Sequence, residues 1–76
     1  MYTSTRKKIL AIVIKQKVMI PRDEALRFMM RNELVARNTV ERYIRDLVGT
    51  GKYRCVTVAG TEYVEYVGAN ANARGD

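Results

Sequence analysis

The spacing of apolar positions changes along this chain, and each change marks an element. Residues 3 to 17 (Thr-Ser-Thr-Arg-Lys-Lys-Ile-Leu-Ala-Ile-Val-Ile-Lys-Gln-Lys) open on three residues able to cap a helix and close on cations that suit a helix C-terminus. The spacing predicts a helix there, with Ile9, Ile12, Val13 and Gln16 on one face. Leu10 and Ile14 fall about a third of a turn from that face, so the apolar band is wider than one small core needs. Val18-Met19-Ile20 reads as a short extended piece, because Pro21 cannot continue a preceding helix but suits the first turn of a new one. The second helix therefore starts near Pro21. Asp23 and Glu24 sit in its first turn and Arg27 and Arg31 in its later part, with Ala25, Leu26, Met29 and Met30 inward and Phe28 pointing the other way.

After a connector, Asn32-Glu33-Leu34-Val35, a third helix runs from about Ala36 or Asn38 to Val48. Val40, Tyr43, Ile44, Leu47 and Val48 keep the i, i+3, i+4, i+7, i+8 pattern, and Asn38 with Glu41 has the spacing of a capping box. Gly49-Thr50-Gly51 ends it, one glycine taking the left-handed position. From Lys52 the period drops to 2. Residues 53–58 and 62–67 are β-branched and aromatic and flank Ala59-Gly60-Thr61, which predicts a hairpin with Gly60 at positive φ; pairing through an Ala59-Gly60 turn would set Arg54 opposite Glu65, and the pattern leaves the register open. The expected domain spans 4–68, and residues 69–76, with no apolar period, form a flexible tail.

Composition narrows the chemistry. The 76 residues include no His, one Cys (Cys55) and one Ser (Ser4), so neither a Ser-His nor a Cys-His nucleophile can be assembled. Zinc sites of His and Cys are excluded by the same count, and no Gly-rich phosphate loop accompanies the carboxylates. The chain reads as a non-enzyme without cofactor, metal or evident small-molecule ligand. A lone cysteine leaves no internal disulfide, and Cys55 is expected to be a small buried hydrophobe on a strand. The longest apolar run, Ile9 to Ile14, is far short of the roughly 20 residues of a spanning helix. With no signal-peptide pattern, the expectation is a soluble cytoplasmic protein associated with nucleoid or host-cell DNA. What remains is the charge: 14 Lys and Arg against 8 Asp and Glu, a net +6 that suggests a polyanionic partner.

The order helix, short strand, helix, helix, hairpin resembles the winged helix-turn-helix family over residues 4 to 67. The stretch Leu34-Val35-Ala36-Arg37-Asn38-Thr39-Val40-Glu41-Arg42-Tyr43-Ile44-Arg45-Asp46-Leu47-Val48-Gly49-Thr50-Gly51-Lys52-Tyr53 carries most of the likeness: a hydrophobic turn residue, small polar residues, an apolar-periodic helix and a glycine before the first wing strand. The chain departs from the pattern at Ala36, where Ser or Thr is usual, and at Asn32-Glu33, which lacks the common glycine. The resemblance implies an α+β fold of three helices followed by a two-stranded hairpin wing, with a short strand between helices one and two. It also implies binding of double-stranded DNA, with small stand-alone prokaryotic, archaeal or viral proteins as the type.

The third helix agrees on independent grounds. With Val40, Ile44 and Leu47 inward, Asn38, Arg42 and Arg45 face outward within about 60° of each other, flanked by Thr39 and Glu41. Arg can bond guanine and Asn adenine in the major groove, so Asn38, Thr39, Glu41, Arg42 and Arg45 are the candidate base contacts. The competing account is a solvated helix with ordinary ion pairs, such as Glu41 with Arg45. Arg22, Arg37, Lys52, Arg54 and Thr61 are candidate phosphate contacts, although the tip Ala59-Gly60-Thr61 is uncharged. Leu10, Ile14 and Phe28, in excess of one core, form the expected homodimer interface. The expected function is a sequence-specific regulator, a repressor acting by promoter occupancy. The alternatives are a non-specific architectural or replication-associated binder and a protein-interaction module; a membrane-surface role ranks last, since the basic residues are spread over several elements.

Overall fold

The computed structural model describes residues 5–68. Ser4 and the expected tail, 69–76, lie outside the described residues. The chain forms α1 (Thr5–Lys17), β1 (Met19–Pro21), α2 (Arg22–Asn32), α3 (Arg37–Gly49), β2 (Tyr53–Val58) and β3 (Thr61–Tyr66). It is a small α+β fold of three helices and one antiparallel sheet. The hairpin is not an isolated two-stranded wing: the sheet order is β1-β3-β2, with Met19, Ile20 and Pro21 pairing Glu65, Val64 and Tyr63. Proline is tolerated at that position because β1 is an edge strand. Pro21 belongs to β1, and α2 starts one residue later, at Arg22.

The core is a single cluster of buried apolar side chains, among them Leu10, Ile14, Ile20, Leu26, Met29, Val40, Ile44 and Val64. This corrects the expected face of α1. Leu10 and Ile14 are fully buried, whereas Ile12 is 54% exposed and Gln16 is exposed. The expected dimer residues Leu10 and Ile14 are therefore core residues, enclosed by their own chain and unable to meet a second copy. Phe28 is partly buried and packs against the same cluster rather than away from it, while Met30 is 40% exposed and leaves the inner stripe. Tyr53 ties α1 to the sheet. Its hydroxyl donates to the Ala11 carbonyl at 3.1 Å, and its ring lies 5.1 Å from that of Tyr66.

The turns show where the backbone is under steric load. Val18, Leu34 and Ala59 all have positive φ (68°, 55° and 51°), which side chains with a Cβ disfavour. Leu34 closes the end of α2 and is 83% exposed, so only Val35 of the connector plugs the angle between α2 and α3. Ala59 and Gly60 together make the tight hairpin turn, both residues at positive φ as a two-residue primed turn requires. The second hairpin strand accordingly begins at Thr61, one residue earlier than expected, and Arg54 stands opposite Glu65. Gly68, at φ 71°, packs so closely on Tyr66 that a Cβ there would sit 3.1 Å from the ring.

Candidate nucleic-acid interface

The third helix presents its polar side as the periodicity requires. Val40, Ile44 and Leu47 are buried; Asn38, Arg42 and Arg45 are exposed, and Thr39 and Glu41 are half-buried at the flanks. The helix starts at Arg37 with Ala36 as its N-cap, so the expected capping box is absent: Asn38 lies inside the first turn, and no side chain caps the helix. The amides of Thr39 and Val40 instead bond the Ala36 carbonyl at 3.1 Å. At the other end the Thr50 hydroxyl donates to the Leu47 carbonyl at 2.6 Å, and Gly51, at φ 85°, turns the chain into β2.

Ion pairs sort the cations into two groups. Glu41 takes Arg37 Nε at 3.4 Å and Arg22 Nη2 at 3.7 Å, joining the start of α3 to the start of α2. The partner of Glu41 is thus Arg37, one turn before it, and not Arg45. Lys7 reaches Asp46 at 3.4 Å, and Arg54 holds Glu65 at 2.8 Å on the outer face of the hairpin. These are partly exposed pairs, each worth at most about 1 kcal/mol. Among the described residues, Arg42, Arg45 and Lys52 have no carboxylate at ion-pair distance. Three of the five expected phosphate contacts therefore differ from the fourth: Arg22, Arg37 and Arg54 carry local counter-charges, whereas the Lys52 ammonium does not. Thr61, the fifth, is exposed at the start of β3, and Pro21, Arg22, Asp23, Gly60, Thr61 and Glu62 line one groove at the start of α2.

A second groove, of about 240 Å³, is lined by Arg22, Glu41, Arg45, Cys55 and Glu62 over Ile44 and Val48. It brings expected base and phosphate contacts together. Cys55, Glu62 and Val48 belong to this groove although the linear pattern marked none of them as a contact residue. The alternation does place Cys55 on the core side of the sheet, opposite Val64, but the core extends only to the Tyr53 end of β2 and leaves Cys55 exposed. That corrects the expected burial of the thiol. Partial desolvation in the groove raises the Cys55 pKa, the charge of Glu62 adds to the rise, and Arg22 opposes it. The thiol is consequently a weak nucleophile at neutral pH.

Chemically, the outer side of α3 offers two guanidinium forks and one carboxamide on a rigid helix, able to donate in pairs to planar acceptors or to phosphate. Among the described residues, no group of three or more His, Cys, Asp or Glu is placed to hold a metal ion, and no helix is long and apolar enough to cross a membrane. No protein-family model, curated protein or solved structure matches the chain.

Proposed function

We propose that this protein is a winged-helix-like binder of double-stranded DNA that lays α3 in the major groove and regulates transcription by occupying a promoter. The observation that carries the proposal is the outward set Asn38, Arg42 and Arg45: exposed, on one face of a helix anchored by Val40, Ile44 and Leu47, and, among the described residues, without the counter-charges that engage Arg22, Arg37 and Arg54. A purely solvated helix would be expected to pair its arginines along its own surface. Here Glu41 pairs with Arg37 and Arg22 and Asp46 with Lys7, so that among the described residues neither acid of α3 engages Arg42 or Arg45. Arg42 and Arg45 read bases, Lys52 holds phosphate, and Arg22 and Arg37 exchange Glu41 for phosphate when the duplex arrives.

The proposal separates two kinds of substitution. Arg42→Ala weakens binding to the proper site by about 1–3 kcal/mol and relaxes base preference, while Lys52→Ala weakens all sequences alike and lowers the salt slope by roughly one unit. Competition binding with single-base variants of a selected site distinguishes them. Identical behaviour of the two variants would remove α3 from the role of reader and leave an architectural binder as the better account.

A further inference from the structure

The outer side of α1 carries a surface that DNA binding through α3 does not use. At about 100° per residue, Ile12 stands about 180° around the helix from the midline of Leu10 and Ile14, the two residues that α1 buries completely. An amphipathic surface helix concentrates its apolar residues on one stripe; a helix apolar on opposite sides is one covered on both. Beside Ile12, the residues Lys8, Ala11, Lys15 and Tyr53 complete a shallow groove of about 310 Å³. Its floor is held in place. The Tyr53 hydroxyl is bonded to the Ala11 carbonyl, and Lys15 Nζ lies 5.5 Å from the centre of the Tyr66 ring. Among the described residues, neither Lys8 nor Lys15 has a carboxylate at ion-pair distance.

We propose that this face docks an acidic amphipathic segment of a partner protein, apolar side chains covering Ile12 and Ala11 and carboxylates meeting Lys8 and Lys15. Charge selects this occupant over the alternatives. Two copies paired α1 against α1 would oppose lysine to lysine in either direction, Lys8 against Lys15 when antiparallel and each against its own counterpart when parallel, and like charges at such range destabilise. A phosphate backbone would satisfy the lysines but would leave Ile12 without apolar cover. Only a surface both acidic and apolar matches the whole groove. The face shares no residue with Asn38, Arg42 and Arg45, and the proposal stands whether or not α3 binds DNA.

The test is a titration of the isotope-labelled protein, followed by NMR, with a synthetic helical peptide of about 16 residues, long enough to form a helix on docking. The peptide carries Leu and Phe on one face flanked by Glu, and a second peptide carries Lys in place of each Glu. The expected result is saturable binding of the acidic peptide, with shifts centred on residues 8, 11, 12, 15 and 53. Ile12→Asp, at an exposed site where the far-UV spectrum should not change, weakens binding at least about tenfold, or about 1.4 kcal/mol. The double reversal Lys8→Glu with Lys15→Glu exchanges the preference to the Lys peptide. Absence of binding at about 1 mM peptide, a limit corresponding to about −4 kcal/mol, overturns the proposal. So do shifts that map elsewhere and a double reversal that keeps the acidic peptide. Two further results overturn it in favour of another occupant: sedimentation showing a dimer that Ile12→Asp dissociates, or a double reversal whose only effect is weaker duplex binding.

Discussion

Leu10→Ala decides whether α1 buries Leu10 in its own core or offers it to a second copy. The side chain has no exposed surface and belongs to the core cluster, and the helix that carries it packs on β1, β3, α2 and α3, so a cavity there cannot collapse cheaply. Truncating an enclosed leucine costs about 3–5 kcal/mol, the transfer loss plus the cavity. A domain of 76 residues has a total stability of about 4–11 kcal/mol, so the loss consumes about a quarter of it or more. At about 4–8 °C per kcal/mol, the melting temperature falls by at least about 12 °C. Urea denaturation read by circular dichroism measures the effect, with the slope unchanged and the midpoint independent of protein concentration. Ile12→Ala, on the exposed side of the same helix, changes stability by no more than about 0.5 kcal/mol. A Leu10→Ala loss below about 1 kcal/mol, or a midpoint that moves with protein concentration, would refute the core assignment and restore the interface.

Other consequences follow from single contacts. Val18→Gly and Leu34→Gly each raise stability by about 0.5–1 kcal/mol, because both residues sit at positive φ and are exposed; a fall in melting temperature for either contradicts the strain argument. Burial, and secondarily Tyr66, lifts the Tyr53 pKa above the ordinary tyrosine value. The folded state therefore keeps its proton at pH values where the unfolded chain has lost it, and stability falls as pH rises through about 10; Tyr53→Phe flattens that fall, as urea midpoints on either side would show. Glu41→Gln releases both Arg22 and Arg37. Stability changes by less than about 0.5 kcal/mol, while non-specific duplex affinity rises and its salt slope steepens by about one to two units. Weaker binding by that variant would mean that Glu41 itself contacts the duplex favourably.

How far the linear pattern reaches depends on whether an element has one apolar side or two. In α3 the apolar residues fall on a single stripe, and their periodicity placed Val40, Ile44 and Leu47 inward and Asn38, Arg42 and Arg45 outward, as the structure has them. The hairpin was legible as an element, but its register was not: only the two-residue Ala59-Gly60 turn, which starts β3 at Thr61, fixes Arg54 opposite Glu65. In α1 apolar residues point both ways, so period alone could not choose between the Leu10–Ile14 side and the Ile12 side. The choice is made by packing against the sheet, including the Tyr53 contact 42 positions away. The Glu41 bridge joins Arg22 of one helix to Arg37 of another, a juxtaposition with no local signature. Cys55 follows strand alternation onto the correct side of the sheet, yet its exposure depends on how far the core reaches along β2. Leu34 and Val35 look interchangeable as a pair. The left-handed backbone at Leu34 sends one to solvent and leaves the other to the core.

The most direct measurement is fluorescence anisotropy of the full chain against a random duplex pool and a duplex selected from it, each at several salt concentrations. The account predicts that the selected site binds at least about a thousandfold more tightly than the pool, and that Arg42→Ala removes most of this ratio. Equal affinities with a steep salt slope, or no duplex binding at low salt, would contradict it.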